Sequence, residues 1–264
     1  MKRFLSLLVA LMMFSVLATS AFAAEQKEAM VRIVHASPDA PAVDVVVDGK
    51  TVVTNAAFKA ATDYVKLSAG EHEVQIFATG TVAENKPVIS QKLNVEAGKS
   101  YTVAAINKVA NLELLVMNDE AMTTEGKTKV RVAHLSPDAP AVDVALKGGD
   151  ALFANAPFKG VTDFKEVDPA TLDLEVRAAG TNNVVLNLPQ TELKANTLYT
   201  VLAVGFAQGE PKLDAIVLTN MSESAMPTSM PKTGNGGASN VWLYAAAAGL
   251  LAGTILMFRK TKTN

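Results

Sequence analysis

The chain contains no cysteine, so neither disulfide bonds nor thiol chemistry is available to it, and its stability must come from packing. Histidine is scarce, at three residues in 264. No HExxH, no GxSxG and no phosphate-cradling glycine loop is present, which removes the usual signatures of zinc peptidases, serine hydrolases and nucleotide-binding proteins. An excess of positive charge is missing too. Five of the 24 Lys and Arg residues lie in the two end segments, so residues 24–233 carry 19 against all 26 Asp and Glu, a net of −7. Such a surface is a poor partner for nucleic acid or anionic lipid. Between the ends, helical spacing of apolar residues is nowhere convincing.

What is present is a repeat. His35 to Val45, HASPDAPAVDV, returns ninety-nine residues later as His134 to Val144, HLSPDAPAVDV, and 12 of 15 positions match from Val31 and Val130 onward. Beyond the motif the halves agree mainly in apolar pattern and turn residues. One inserted residue after the second strand moves the offset to 100, where Asn55-Ala56-x-Phe58-Lys59 matches Asn155-Ala156-x-Phe158-Lys159. Two copies imply two domains of about 100 residues, each long enough for its own core.

Each copy reads as short strands. Val31, Ile33 and His35 share one face, with Arg32 and Val34 on the other. Ser37-Pro38-Asp39 suits a tight turn, since Pro presets φ and Asp bonds its own backbone. Val43, Val45 and Val47 alternate into a second strand that ends at the hairpin signal Asp48-Gly49. Further runs at 63–67, 73–79, 88–95, 100–107 and 112–118 are separated by Gly and Pro. About eight strands in ninety residues indicate an antiparallel β-sandwich. Tyr101 and Tyr199 open late strands just after a turn, an arrangement similar to the tyrosine corner of immunoglobulin-like domains. Phe58 and Phe158 are expected as core anchors. Asn55 and Asn155 are expected as turn formers, and Asn196 stands where the first copy has Gly98, as suits positive φ.

The ends carry address signals. Residues 1–23 read as a secretory signal: Lys2 and Arg3, an apolar run, then Ala21-Phe22-Ala23 for cleavage. Val241 to Phe258 is 18 residues without a charge, followed by Arg259-Lys260, which reads as a transmembrane helix with residues 259–264 as a basic cytoplasmic tail. Before it, in the linker 221–240, stand Met230, Pro231, Lys232, Thr233 and Gly234. Pentapeptide, apolar helix and basic tail together resemble the sorting signal of sortase-anchored Gram-positive surface proteins, with Met230 where Leu is usual. The resemblance implies cleavage after Thr233 and transfer of its acyl group to peptidoglycan.

Both copies also resemble the bacterial domain-of-unknown-function family 4397, which opens with VRxxHASPDAPAVDV, over essentially residues 30–220. That resemblance implies an extracellular immunoglobulin-like β domain and supplies no catalytic residues. The expected architecture is therefore all-β: two tandem immunoglobulin-like antiparallel sandwiches at 30–119 and 127–220, joined by a connector at 120–126.

The best candidate site is the repeated set His35, Asp39 and Asp44, mirrored by His134, Asp138 and Asp143. One nitrogen and two oxygen ligands could hold a divalent metal. The competing reading is structural: a half-buried imidazole satisfied by a carbonyl, Asp39 spent in its turn, and Asp44 paired with Arg32 across the strands, as Asp143 would pair with Arg131. Ser37 beside His35 is a poor nucleophile, because Pro38 ends the strand that would align them. His72 faces Leu172 in the other copy, so it serves no function common to both. The chain is thus read as a non-catalytic, cofactor-free surface protein for binding, adhesion or wall structure, with wall polymer, protein or nothing beyond its neighbours as ligand, held in the membrane through 241–258 before sorting. The alternative is a metal-dependent or hydrolytic surface enzyme built on the repeated His/Asp motif.

Overall fold

The computed structural model describes residues 28–119 and 122–221. The export signal at 1–23, the pentapeptide at 230–234, the apolar segment at 241–258 and the basic tail lie outside the described residues. Among the described residues no helix is long and apolar enough to cross a membrane. All of them fall within one compact unit that ends at Met226.

Among the described residues sixteen strands follow one another, eight in each half. The first half holds β1 (Glu28–His35), β2 (Val43–Val47), β3 (Lys50–Ala56), β4 (Val65–Ser68), β5 (Gly70–Ala78), β6 (Ile89–Val95), β7 (Ser100–Ile106) and β8 (Glu113–Asp119). The second repeats them as β9 (Thr128–His134), β10 (Val142–Leu146), β11 (Ala151–Ala156), β12 (Lys165–Val167), β13 (Ala170–Ala178), β14 (Val184–Leu193), β15 (Thr197–Val204) and β16 (Asp214–Met221). Each half forms two four-stranded sheets, ordered β4-β1-β7-β8 and β3-β2-β5-β6 in the first, and β12-β9-β15-β16 and β11-β10-β13-β14 in the second.

The sandwich reading holds, with one correction: the sheets are not wholly antiparallel. β1 runs parallel to β7, Val31 opposite Tyr101, and β9 runs parallel to β15, Val130 opposite Tyr199. The cause is topological. The chain leaves β1 for the facing sheet and returns through β7 along the strand it started from, and such a return can run in the same direction because it is no hairpin. The hairpins behave as the turn residues require. Asp48 and Gly49 both take positive φ (49° and 75°), and the two-residue turn sets Val47 opposite Lys50. The second copy carries its inserted residue here, and β10 and β11 are joined by the wider turn at 147–150.

Three apolar layers separate the four sheets. Val31, Val45, Ile76 and Val103 pack between the sheets of the first half, and Val130, Val144, Val176 and Val201 do so in the second. The third layer joins the halves: Val34, Ala36, Ala104 and Ile106 meet Ala133, Leu135, Leu202 and Val204. β1, β7, β9 and β15 are thereby buried on both faces, and every residue of β15 is buried. Both Tyr residues close their corners, with Tyr101 Oη accepting from Glu96 N at 3.1 Å and Tyr199 Oη from Lys194 N at 2.9 Å. Asn196 takes the expected positive φ, whereas Asn55 and Asn155, expected in turns, take positive φ within β3 and β11.

Candidate functional site

The repeated motif leaves β1 at His35 and β9 at His134, where the chain turns into the facing sheet. His35 is 3 % exposed and its Nε2 donates to the Pro41 carbonyl at 3.1 Å; His134 is fully buried and donates to Pro140 O at 3.0 Å. That donation fixes the proton on Nε2. The link from β3 to β4 wraps over the ring: Lys59 N donates to His35 O at 2.8 Å, and Phe58 lies edge-on to the imidazole with centroids 6.4 Å apart. Phe158 covers His134 in the same way. Both Phe residues are half-buried lids that follow the strand ends at Ala56 and Ala156, and Phe58 also packs against the apolar layer between the halves, as expected of a core residue. Burial lowers the pKa of both imidazoles, more than the bonds to Pro41 and Pro140 raise it, so both rings remain neutral.

The aspartates are held apart by separate duties. Asp39 Oδ1 accepts from Val109 N at 2.8 Å, and Asp138 accepts from Ala207 N and Gln208 N at 2.7 and 3.0 Å, so each ties its turn to the loop before β8 or β16. Asp44 accepts from Asn55 N at 2.8 Å and Gly80 N at 2.9 Å; Asp143 accepts from Asn155 N at 2.6 Å and Gly180 N at 2.9 Å. The N–H groups of Asn55 and Gly80 hold Asp44 below the usual carboxylate range. His35, Asp39 and Asp44 are therefore consumed by three different backbone stretches. Among the described residues no group of three or more His, Asp or Glu is placed to hold a metal ion. Ser37 is fully buried, and its hydroxyl has no hydrogen-bond partner among the described residues, so it is no accessible nucleophile.

The expected pairs of Asp44 with Arg32 and Asp143 with Arg131 do not form. Both arginines point from the opposite face of their sheet into the contact between the halves, where they are 5 % and 3 % exposed. Arg32 Nη2 donates to Thr102 Oγ1 at 2.9 Å and Nη1 to Asn220 Oδ1 at 3.0 Å. Arg131 Nε donates to Thr200 Oγ1 at 3.0 Å, and its Nη2 reaches Asp119. Arg32 stacks over Tyr64 at 4.8 Å and Arg131 over Phe164 at 4.6 Å. Asp119, whose side chain is fully buried, also accepts from Tyr64 Oη at 2.5 Å and Thr102 Oγ1 at 2.7 Å. At the rim, Lys59 pairs with Asp214, and Lys159 with Glu113 at 2.7 Å. Arg32 corresponds to Arg131, Lys59 to Lys159, Asp119 to Asn220 and Glu113 to Asp214, so the halves meet through the same patch related by a pseudo-twofold axis. One signal for this cluster was readable: β7 and β15 are apolar at successive rather than alternate positions, which is how a strand buried on both faces reads.

Residues 29–145 match a family described as a domain of unknown function, DUF4397, and a domain of that family is present in the chain. The match takes in the first half and ends at Ala145 in β10, short of the expected coverage to residue 220. No curated protein matches the chain. Among solved structures, a carbohydrate-binding module of family 26 from Eubacterium rectale, solved with maltoheptaose, shares 10% identity at a TM-score of 0.24, over 75% of this chain and 99% of that one. A candidate cell adhesion protein from Bacteroides eggerthii aligns over 74% of this chain and 96% of its own, with 10% identity and a TM-score of 0.21. The Bacillus anthracis TIE protein gives 11% identity and a TM-score of 0.21 over 73% of this chain and 44% of its own. At these TM-scores none of the three carries an argument, and the functional reading rests on the side chains of this chain.

Proposed function

We propose that the chain is a non-catalytic surface protein of a Gram-positive bacterium, in which two immunoglobulin-like domains, residues 30–119 and 127–220, form one compact unit that binds wall polymer or protein. The observation that carries this reading is that each His and Asp of the repeated motif holds a backbone partner in both copies. A hydrolase needs a base beside an accessible nucleophile. His35 and His134 instead sit neutral beneath Phe58 and Phe158, where burial and bonding serve the turn.

The address comes from the ends: export by residues 1–23, a pause in the membrane through residues 241–258, and sortase transfer through Thr233 to peptidoglycan. From Asn220 to Thr233 there are 14 residues. They reach at most about 3.5 Å each, or roughly 50 Å in all, which favours a wall-proximal role over long-range adhesion. Expression of the wild type and Thr233→Ala in a sortase-positive host tests the attachment. Muralytic digestion should release only the wild type. Release of both by detergent, with the apolar segment still attached by mass, would reduce the C-terminus to a plain membrane anchor. A pull-down with residues 24–229 against wall fractions and secreted proteins then addresses the ligand.

A further inference from the structure

Between the two sheets of each half the apolar side chains stop short of one another on the side bounded by the edge strands, β3 with β4 in the first and β11 with β12 in the second. This leaves a cavity of about 310 Å³ in the first half and about 280 Å³ in the second. The walls correspond: Val31, Val45 and Val103 in one, Val130, Val144 and Val201 in the other. Protein interiors leave few voids larger than a water molecule, so a space of this size at the same place in both copies is a feature of the fold rather than a packing fault of one. The first lies at the small end of the range for ligand sites. Its lips are apolar as well, since Val52 and Val65 on the two edge strands are 37 % and 40 % exposed.

The mouths differ. In the first half Asp48, Lys50, Lys66 and His72 stand at the opening. His72 Nδ1 meets Asp48 Oδ2 at 2.6 Å and Nε2 meets Ser68 O at 2.8 Å. Both partners are acceptors, so the ring donates twice and is an imidazolium. Lys66 pairs with Glu28 at 2.9 Å, whereas Lys50 has no ion-pair partner among the described residues. Three cations thus face two carboxylates, an excess of one positive charge beside an apolar slot. In the second half Leu172 replaces His72, and Lys165 lies over the Phe153 ring at 5.1 Å.

We infer that the first half binds a single unbranched alkyl chain bearing a carboxylate, with the chain between the sheets and the head at Lys50. Sheets that pack face to face stand about 10 Å apart, which admits one chain's thickness between the side-chain layers and no more. Lys50 feels Asp48 only at longer range, and a carboxylate at the mouth supplies the direct ion pair it lacks. The inference does not depend on how the chain is anchored.

The test uses residues 24–226, which keep the compact unit whole, and titrates dodecanoate below its micellar concentration by calorimetry, with dodecanol as the neutral match. One dodecanoate per chain is expected, bound at least tenfold more tightly than dodecanol. Lys50→Glu, at an exposed position, should remove that preference while dodecanol still binds. Val74→Phe, which fills the first cavity, should abolish binding of both, whereas Leu174→Phe in the second half should leave dodecanoate binding unchanged. Absence of dodecanoate binding to the wild type would overturn the inference, as would equal binding of the two probes or an unaltered preference in Lys50→Glu.

Discussion

The two halves share a backbone plan and a motif, yet they diverge at three places, and each shows what the fold leaves free. On the outer sheet, Phe77 of β5 is 2 % exposed and a ten-residue connection follows Ala78; in the second half Arg177 takes that position and only five residues separate Ala178 from β14. Arg177 serves as a local brace there, donating to Glu175 at 2.7 Å, Gly149 O at 2.9 Å and Leu146 O at 3.2 Å. At the cavity mouth His72 gives way to Leu172. At the contact between the halves Asp119 gives way to Asn220, so two buried guanidinium groups share one carboxylate. The motif residues stay fixed because they close the backbone, whereas hairpin turns and outward positions drift once another element can cover or brace them.

The sharpest way to break this comparison is at the shared carboxylate. Asp119→Ala strips Arg131 of its ion-pair partner and Thr102 and Tyr64 of an acceptor, and should cost about 3–5 kcal/mol in urea unfolding. Asn220→Ala removes one acceptor from Arg32 and one donor from Tyr64 and should cost about 2 kcal/mol. Equal losses would mean that the asymmetry has no energetic weight.

A second comparison should come out symmetric. Asp44→Ala and Asp143→Ala each leave two backbone N–H groups without their acceptor, at Asn55 and Gly80 or at Asn155 and Gly180. A loss of about 2 kcal/mol is expected for either. A large effect in one half alone would show that the motif has been specialised.

The smallest effect expected is on pH dependence, where His72, present only in the first half, opposes the histidines common to both halves. His35 and His134 have folded pKa values below 6.5, so the unfolded chain binds protons more readily and stability falls as pH drops below 6.5. For His72, burial works to lower the pKa, but the bonds to Asp48 and Ser68 together raise it above 6.5. Its contribution is full below 6.5 and is lost as pH climbs through the folded value. Melting temperatures between about pH 5 and pH 9 should therefore show a shoulder on the alkaline side that His72→Leu removes, with the acid-side loss retained.

Much of each half was legible before any coordinates. Alternation at Val43, Val45 and Val47, the Asp48-Gly49 turn, the positive φ of Asn196 and the two tyrosine corners depend on local sterics and period-two patterning, which neighbouring residues dictate. The candidate site was legible as a set of residues but not as an arrangement. Asp44 was expected beside Arg32 because adjacent strands invite cross-strand pairs, but β1 and β2 lie in different sheets, and the two side chains leave their sheets in unrelated directions. Phe58 was read as core, and it does pack against the apolar layer between the halves, but its place on the loop after Ala56 also closes it over His35, which the sequence did not show.

By itself, the sequence determined the strands, their turns and the duplication, because sterics at Gly, Pro and Asn and the alternation of apolar side chains act over a few residues. Only the tertiary structure decided that β1 runs parallel to β7, that Arg32 and Arg131 share Asp119 across a pseudo-twofold axis, and that a cavity persists between the sheets of both halves. Those features depend on which surfaces a chain of several short strands finds to cover its second apolar face, and that choice is made by contacts between residues as far apart as Arg32 and Asn220.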